Sequence, residues 1–266
     1  MRADPATTWE VNAMKILLHG CNGKMGQVMT RIVAEAPDVE IVCGVDAVPD
    51  KVKNTYPVYR SLGEAKEKAD VVIDFSHHSA LDALLAYGKE TKIPLVICTT
   101  GFSADEKQRM AEASKVIPIL NSANMSLGVN LLLALVKQTA PVLAESNFDI
   151  EIVEKHHNQK LDSPSGTALM IADAINSSLG NRLKFVYGRH SKTSRREPCE
   201  IGIHAIRGGA IVGEHTVIFA GQGEVIEITH SAISRDVFAY GALRAARFVV
   251  GAPPGFYGMD DVLRAK

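Results

Sequence analysis

Apolar residues in the first half of the chain come in short, β-branched runs, separated by helix-length stretches in which they recur every three to four positions. This rhythm predicts βαβ units and a mostly parallel sheet, because strands covered by helices on both faces read as nearly continuous apolar runs. Strands are expected over 15–19, 40–45, 71–75, 94–99 and 117–120, and helices over 26–36, 79–91, 104–115 and 127–144. After residue 144 the rhythm changes to a strand over 149–153, a helix over 167–179 and then a series of strands. Arg207-Gly208-Gly209 separates 200–206 from 210–219, and Gly221-Gln222-Gly223 leads into 224–230, a spacing that predicts antiparallel hairpins. The fold class expected is α/β with a second, α+β domain over 127–235, inserted before a C-terminal helix over 237–250 that belongs with the first domain.

Composition narrows the partners. A chain of 266 residues that is 46% hydrophobic can bury a sizeable core. Lys plus Arg total 29 against 30 for Asp plus Glu, so no overall positive field exists to hold nucleic acid, and a small molecule is the expected partner. Cys21, Cys43, Cys98 and Cys199 stand far apart with no Cys-x-x-Cys pair, which fits neither a zinc site nor a disulfide framework and points to a reducing, cytoplasmic setting. The longest apolar run, 131–136, is far short of the roughly 20 residues that span a bilayer, so no membrane helix is expected. Residues 1–13 carry charges and Pro5 but lack the apolar centre of a signal peptide; they read as a disordered extension ahead of Met14. The stretch 188–198 concentrates Arg189, His190, Lys192, Arg195 and Arg196, a mobile basic loop that is either simply solvated or attracts an anionic substrate.

Candidate chemistry in the first half sits at strand ends. Gly20-Cys21-Asn22-Gly23-Lys24-Met25-Gly26 follows an apolar strand and opens a helix, where glycines allow a backbone to approach a pyrophosphate and free amides favour an anion. Its Gly-x-x-Gly-x-x-Gly spacing departs from the commoner Gly-x-Gly-x-x-Gly, and a tight turn without a ligand would also use these residues. In the βαβ setting the loop makes the first domain, 1–126 with 236–266, a Rossmann-like dinucleotide-binding domain. Asp46, at the end of the second strand, is placed to accept hydrogen bonds from the adenosine ribose, or is an ordinary turn residue. Cys98, Thr99 and Thr100, and Ser122, Ala123, Asn124, Met125 and Ser126, lie at further strand ends. Ser122, Asn124 and Ser126 equally suit helix caps.

The second half carries Glu154-Lys155-His156-His157-Asn158-Gln159-Lys160 followed by Asp162-Ser163-Pro164-Ser165-Gly166-Thr167-Ala168. Two imidazoles and an ammonium just beyond a strand, ahead of a helix start marked by Pro and Ser, outline a receptor for a dianion. Lys160 is suited to pair with one carboxylate, and the amides of Ser165, Gly166 and Thr167 to receive another. A histidine can give a proton at neutral pH. The competing readings are a polar surface loop with a helix cap and a metal site. Adjacent histidines usually point apart and no third ligand has a recognisable spacing, so no metal is expected.

This segment resembles the signature loop of the dihydrodipicolinate reductases, a Glu-x-His-His-x-x-Lys-x-Asp-Ala-Pro-Ser-Gly-Thr-Ala pattern, with Ser163 where Ala is usual. The resemblance extends over Gly20 to Gly26, Asp74-Phe75-Ser76, Thr99-Thr100-Gly101-Phe102, Asn124 to Asn130 and Ile211-Val212-Gly213-Glu214-His215-Thr216, from Met14 almost to the end. It implies His156 as proton donor and acceptor, Lys160 as a second proton-donating, substrate-anchoring group, and His157 with Gly166 and Thr167 as ligands of the substrate carboxylates. It assigns Gly20, Cys21, Asn22, Gly23, Lys24 and Met25 to the pyrophosphate and Asp46 to the ribose. Cys98, Thr99 and Thr100 with Ser122, Ala123, Asn124 and Met125 fall to the nicotinamide end. Cys98 stands where Gly is frequent and Ser122 where Ala occurs. The implied reaction is reduction of a small cyclic dicarboxylate, 4-hydroxy-tetrahydrodipicolinate via its dehydrated form, to tetrahydrodipicolinate with NAD(P)H. The implied assembly is a homotetramer built through the second domain's sheet. NADH is expected to be preferred over NADPH, because Ala47 follows Asp46 where NADPH-using members often carry Arg, although Lys51 and Lys53 lie close behind. The rival readings are another reductase of an amino-acid precursor, such as a diaminopimelate or homoserine dehydrogenase, and a dinucleotide-sensing protein that performs no chemistry.

Overall fold

The computed structural model describes residues 13–265; the extension expected over 1–13 lies, but for its last residue, outside them. The chain divides into two compact units, one of residues up to Ala123 with Ala239–Ala265, the other Asn124–Phe238. In chain order the first unit begins with β1 (Met14–His19), α1 (Lys24–Ala34), β2 (Val39–Val45), β3 (Val58–Tyr59), β4 (Val71–Asp74), α2 (Leu81–Thr91), β5 (Leu95–Ile97), α3 (Ala104–Ala113) and β6 (Pro118–Asn121). The second unit holds α4 (Leu127–Glu145), β7 (Asp149–His156), α5 (Gly166–Ser178), β8 (Lys184–Tyr187), β9 (Glu200–Arg207), β10 (Gly213–Ala220) and β11 (Val225–Ala232). The chain ends with α6 (Asp236–Val250), β12 (Gly255–Tyr257) and α7 (Met259–Arg264).

The first unit is a seven-stranded sheet in the order β12-β6-β5-β4-β1-β2-β3, with parallel pairing throughout. Its strands are buried because α2 and α3 lay Leu84, Leu85 and Met110 on Leu17, Val72, Leu95 and Ile119. β1 pairs with β2 on one side and β4 on the other, so the strand order reverses at the β1/β4 boundary. At such a switch point the loops leaving the carboxyl ends of the two strands diverge and open a crevice. The loops concerned begin at Gly20 and Phe75.

The second unit is a five-stranded mixed sheet in the order β11-β10-β7-β9-β8. One face carries Ile150, Ile152, Ile201, Ile203, Val217 and Phe219 against Val129, Leu132 and Val136 of α4 and Ile171 and Ile175 of α5. β10 and β11 form the expected antiparallel hairpin, closed by Gly221 N donating to Glu224 O at 2.9 Å. The hairpin expected at Arg207-Gly208-Gly209 is a crossover instead: β7 lies between β9 and β10, parallel to the first and antiparallel to the second. Turn chemistry alone does not distinguish a hairpin from a connection that steps over a neighbouring strand.

One further sequence reading needs correction. β7 runs on to His156, three residues past its expected end, because Glu154 and His156 continue the inward alternation of Ile150 and Ile152 with polar side chains. The whole of α4, 19 residues long, is long and apolar enough to span a bilayer by length and composition, although its longest apolar run is short. Its apolarity has a use in this unit, since the Val129, Leu132, Leu133, Val136 and Ala140 stripe is buried.

Candidate active site

In the first unit the glycine loop fits a pyrophosphate. Gly20 has φ of +76°, and a Cβ there would meet Phe75 O at 2.6 Å; a Cβ on Gly26 would meet Gly20 O at 2.4 Å. Both positions therefore exclude side chains and let the loop close on the sheet. Gly23 is the N-cap of α1, which has no side-chain cap and no acidic residue in its first turn, so its amides are open to an anion.

Two assigned side chains in this loop turn inward. Cys21 is fully buried, and burial, helped by the Asp46 charge, pushes its thiol up to about 12. Asn22 is buried too, donating to Val48 O at 2.8 Å and Pro49 O at 3.0 Å while accepting from Asn54 Nδ2 at 2.8 Å. These two hold the loop's shape, and the Cys21 amide is itself used inside it, donating to Val45 O at 3.4 Å. Asp46 joins the same assembly: its Oδ2 accepts the Asn22 amide at 3.0 Å and its Oδ1 the Val48 amide at 3.0 Å. Lys24 is exposed and Met25 half-buried. Arg60, which sequence reasoning passed over, donates to Ala47 O at 3.4 Å and so brings a guanidinium beside the Asp46 turn.

At the β4 end, Asp74 gathers three neighbours. His19 Nδ1 lies 2.9 Å from its Oδ1, Ser76 Oγ donates to Oδ1 at 2.6 Å, and Thr99 Oγ1 donates to Oδ2 at 2.7 Å. Thr99 is therefore committed to Asp74, and Thr100 is exposed. Burial, with the nearby Asp74 charge, raises the Cys98 thiol well above its ordinary range, so it remains a neutral thiol. Ser122 is half-buried and Ala123 exposed.

Asn124 and Met125 fall in the second unit and are buried. Asn124 Nδ2 donates to Thr167 Oγ1 at 3.1 Å, so a residue assigned to the nicotinamide end and one assigned to a substrate carboxylate are bonded to each other. Asn124 Oδ1 also accepts the Ser126 amide at 2.9 Å, and Ser126 caps α4.

The carboxyl end of β7 and the start of α5 enclose the rest. Glu154, with no exposed surface, bonds His156 Nδ1 at 2.6 Å, Arg207 Nη1 and Nη2 at 2.7 Å each, and the Ser165 amide at 2.9 Å. Burial works against its charge, but the Arg207, His156 and Ser165 bonds together hold its carboxyl below the usual carboxylate range. His215 packs edge-on to His156, with ring centroids 5.2 Å apart. Burial, then the nearby His156, depress His215 to about 4. Lys160 Nζ is 2.8 Å from Asp162 Oδ1, the cause that keeps Asp162 low, and His157 is half-buried.

The helix N-terminus expected to offer three amides is partly taken: Glu154 holds Ser165 N, and Asp162 Oδ2 accepts Gly166 N at 3.3 Å. The basic loop is elsewhere. Arg189 and Arg196 pair with Glu151, Glu200 and Asp149, five or more residues before His156 on β7 or on its neighbour β9, roughly 17 Å away along the strand. Glu154, Arg207 and His215 were not assigned to the site from sequence: Arg207 reads as part of a turn and Glu154 and His215 as members of longer motifs, and what unites them is pairing among β7, β9 and β10.

Comparison with known proteins places the chain in a family. Residues 14–125 match the family model for the dihydrodipicolinate reductase N-terminus and 128–263 that for its C-terminus. The chain belongs to the dihydrodipicolinate reductase family. It is 58% identical over 255 residues to the 4-hydroxy-tetrahydrodipicolinate reductase of Caldanaerobacter subterraneus subsp. tengcongensis, covering 94% of this chain and 98% of that one. Identity to the enzyme of the same name from Clostridium botulinum is 52% over 251 residues, covering 94% and 98%. A dipicolinate-bound dihydrodipicolinate reductase from Paenisporosarcina sp. TG-14 shares the fold with a TM-score of 0.79 at 23% identity, covering 94% of this chain and 99% of that one. The diaminopimelate dehydrogenase of C. glutamicum, at 14% identity and a TM-score of 0.56 over 96% and 94% of the chains, shares the architecture. As a family member, the chain is an NAD(P)H-dependent oxidoreductase.

Proposed function

We propose that the chain reduces 4-hydroxy-tetrahydrodipicolinate, through its dehydrated form, to tetrahydrodipicolinate in lysine and diaminopimelate biosynthesis, with His156 as proton donor and Lys160 as its partner. The observation that carries the assignment of roles is the buried His156, whose Nδ1 is bonded to Glu154 at 2.6 Å, leaving Nε2 to serve the substrate. NAD(P)H, when bound on the glycine loop, supplies a hydride to the conjugated ring at C4. His156 Nε2 then holds the proton for the adjacent carbon. Lys160 exchanges its Asp162 pairing for a substrate carboxylate, and His157, Gly166 and Thr167 receive the other.

Asp46 is read as the ribose acceptor and favours NADH, since a carboxylate faces a 2′-phosphate with like charge and Ala47 offers no guanidinium. A homotetramer assembled on the second sheet is supported by the face opposite α4 and α5, which among the described residues no helix of that unit covers and which carries Val153, Thr216, Ile218 and the exposed Ile206. A cytoplasmic setting is supported by four free cysteines. The deciding experiment is an assay coupled to the synthase that makes the substrate, run with both reduced nicotinamides. Steady cofactor oxidation dependent on substrate is expected; a chain that binds the dinucleotide without turnover would overturn the proposal.

A further inference from the structure

We propose that Glu154, clamped by Arg207, is the positioning residue of the proton donor: it fixes the His156 ring with Nδ1 turned inward and Nε2 free, and couples that ring to the helix receiving the substrate carboxylate. This rests on the reading of His156 as the proton donor.

An ionised carboxylate only accepts hydrogen bonds, so the 2.6 Å contact requires a proton on His156 Nδ1. That selects the neutral tautomer with a bare Nε2, or the imidazolium after proton uptake, and both are competent for proton transfer at Nε2. Glu154 itself is held from both sides. Each oxygen takes one guanidinium nitrogen of Arg207, the bidentate geometry that best orients a carboxylate. The second site on Oε2 is used by His156, the second on Oε1 by the Ser165 amide. A guanidinium alone would neutralise a buried carboxylate, so neutralisation does not account for the histidine.

The pair also spans the site. Arg207 Nη2 donates to Asp162 O at 2.6 Å, in the loop where Asp162 pairs with Lys160, and Ser165 is the N-cap of α5. One buried ion pair thereby touches the proton donor, the segment carrying the ammonium and the start of the receiving helix. Facing His156 are Glu154 from its own strand, Arg207 from β9, and His215 from β10, held in its neutral form. Gly213 leaves the outer nitrogen open, since a Cβ there would stand 3.0 Å from His156 Nε2.

The test compares His156→Gln, Glu154→Gln and the double variant as the full chain with NADH, with kcat, KM and pH profile for each. Histidine nitrogen-15 spectra of the wild type, assigned through His156→Gln, report the tautomer. Glu154→Gln is expected to lower kcat about 10- to 100-fold, with a smaller change in KM, because a general acid contributes about 10²- to 10⁴-fold and misorientation loses part of that. The double variant should be no slower than His156→Gln, the non-additivity of a residue that acts through another. If His156→Gln is impaired while Glu154→Gln keeps wild-type kcat, or if the two losses multiply, Glu154 has no positioning role and the assignment of His156 stands. If His156→Gln is itself unimpaired, the reading of His156 fails first. Should Glu154→Gln not fold, the wild-type spectrum decides: a neutral His156 with its proton on Nε2 rules the inference out.

Discussion

His215 Nε2 lies 3.0 Å from Ser165 Oγ, and the same hydroxyl accepts the Ala168 amide at 3.2 Å as the cap of α5. Besides the amide it accepts, the hydroxyl has one proton and one further acceptor site, so it can pair with either tautomer of a neutral His215. His215 is buried and its pKa is depressed from 6.5 to about 4. Between these values the unfolded chain takes up a proton that the folded chain does not, so stability falls as pH drops through this window and is fully present above it. The loss by pH 4 is on the order of 3 kcal/mol. Thermal melts at pH 7 and pH 4.5 should show it, and His215→Gln should flatten the dependence. Some slope should remain from His230, which burial also depresses. An unchanged slope would remove His215 as its source.

Lys160→Ala should lower kcat/KM by roughly 10- to 150-fold, the loss of one charge-assisted anchor worth about 1.5 to 3 kcal/mol, with the melting temperature nearly unchanged. The side chain's partner is Asp162, on a well-exposed loop, so little folding energy depends on it. Activity within threefold of wild type would exclude Lys160 from the mechanism.

The adjacent histidines should separate kinetically. His156 is buried against Glu154 and His157 is half-buried, so His156→Gln should act on kcat and His157→Gln mainly on KM. Steady-state kinetics with substrate varied at saturating cofactor would expose an interchange of the two roles.

Cofactor choice turns on the residues around Asp46. NADH should be favoured, and Ala47→Arg should move the kcat/KM ratio toward NADPH. Arg60, bonded to Ala47 O at 3.4 Å, is the guanidinium best placed to accept a 2′-phosphate, so Arg60→Ala should widen the preference for NADH about fivefold, as for one exposed ion pair of about 1 kcal/mol. A wild-type preference of more than about tenfold for NADPH, equivalent to roughly 1.4 kcal/mol, would show that basic side chains outweigh the Asp46 charge.

By itself, the sequence determined the parallel sheet, the glycine loop and the segment from His156 to Thr167, because each is written locally: in periodicity, in residues that only one backbone shape admits, in neighbours along one loop. The short strands Val58–Tyr59 and Gly255–Tyr257 and the edge strand Lys184–Tyr187 were not legible, since the first two are too short to show a period and the third lies at a sheet edge. Tertiary structure alone decided which polar residues act together. Glu154 and Arg207 are 53 positions apart and Ser165 and His215 are 50 apart, and pairing across β7, β9 and β10 makes each a hydrogen-bonded pair. It also decided that Arg189 and Arg196 bind the far end of β7, and that Cys21 and Asn22 face inward. Charge and spacing say what a side chain can do; which buried partner satisfies it is settled by strand register, a long-range property with no local signature.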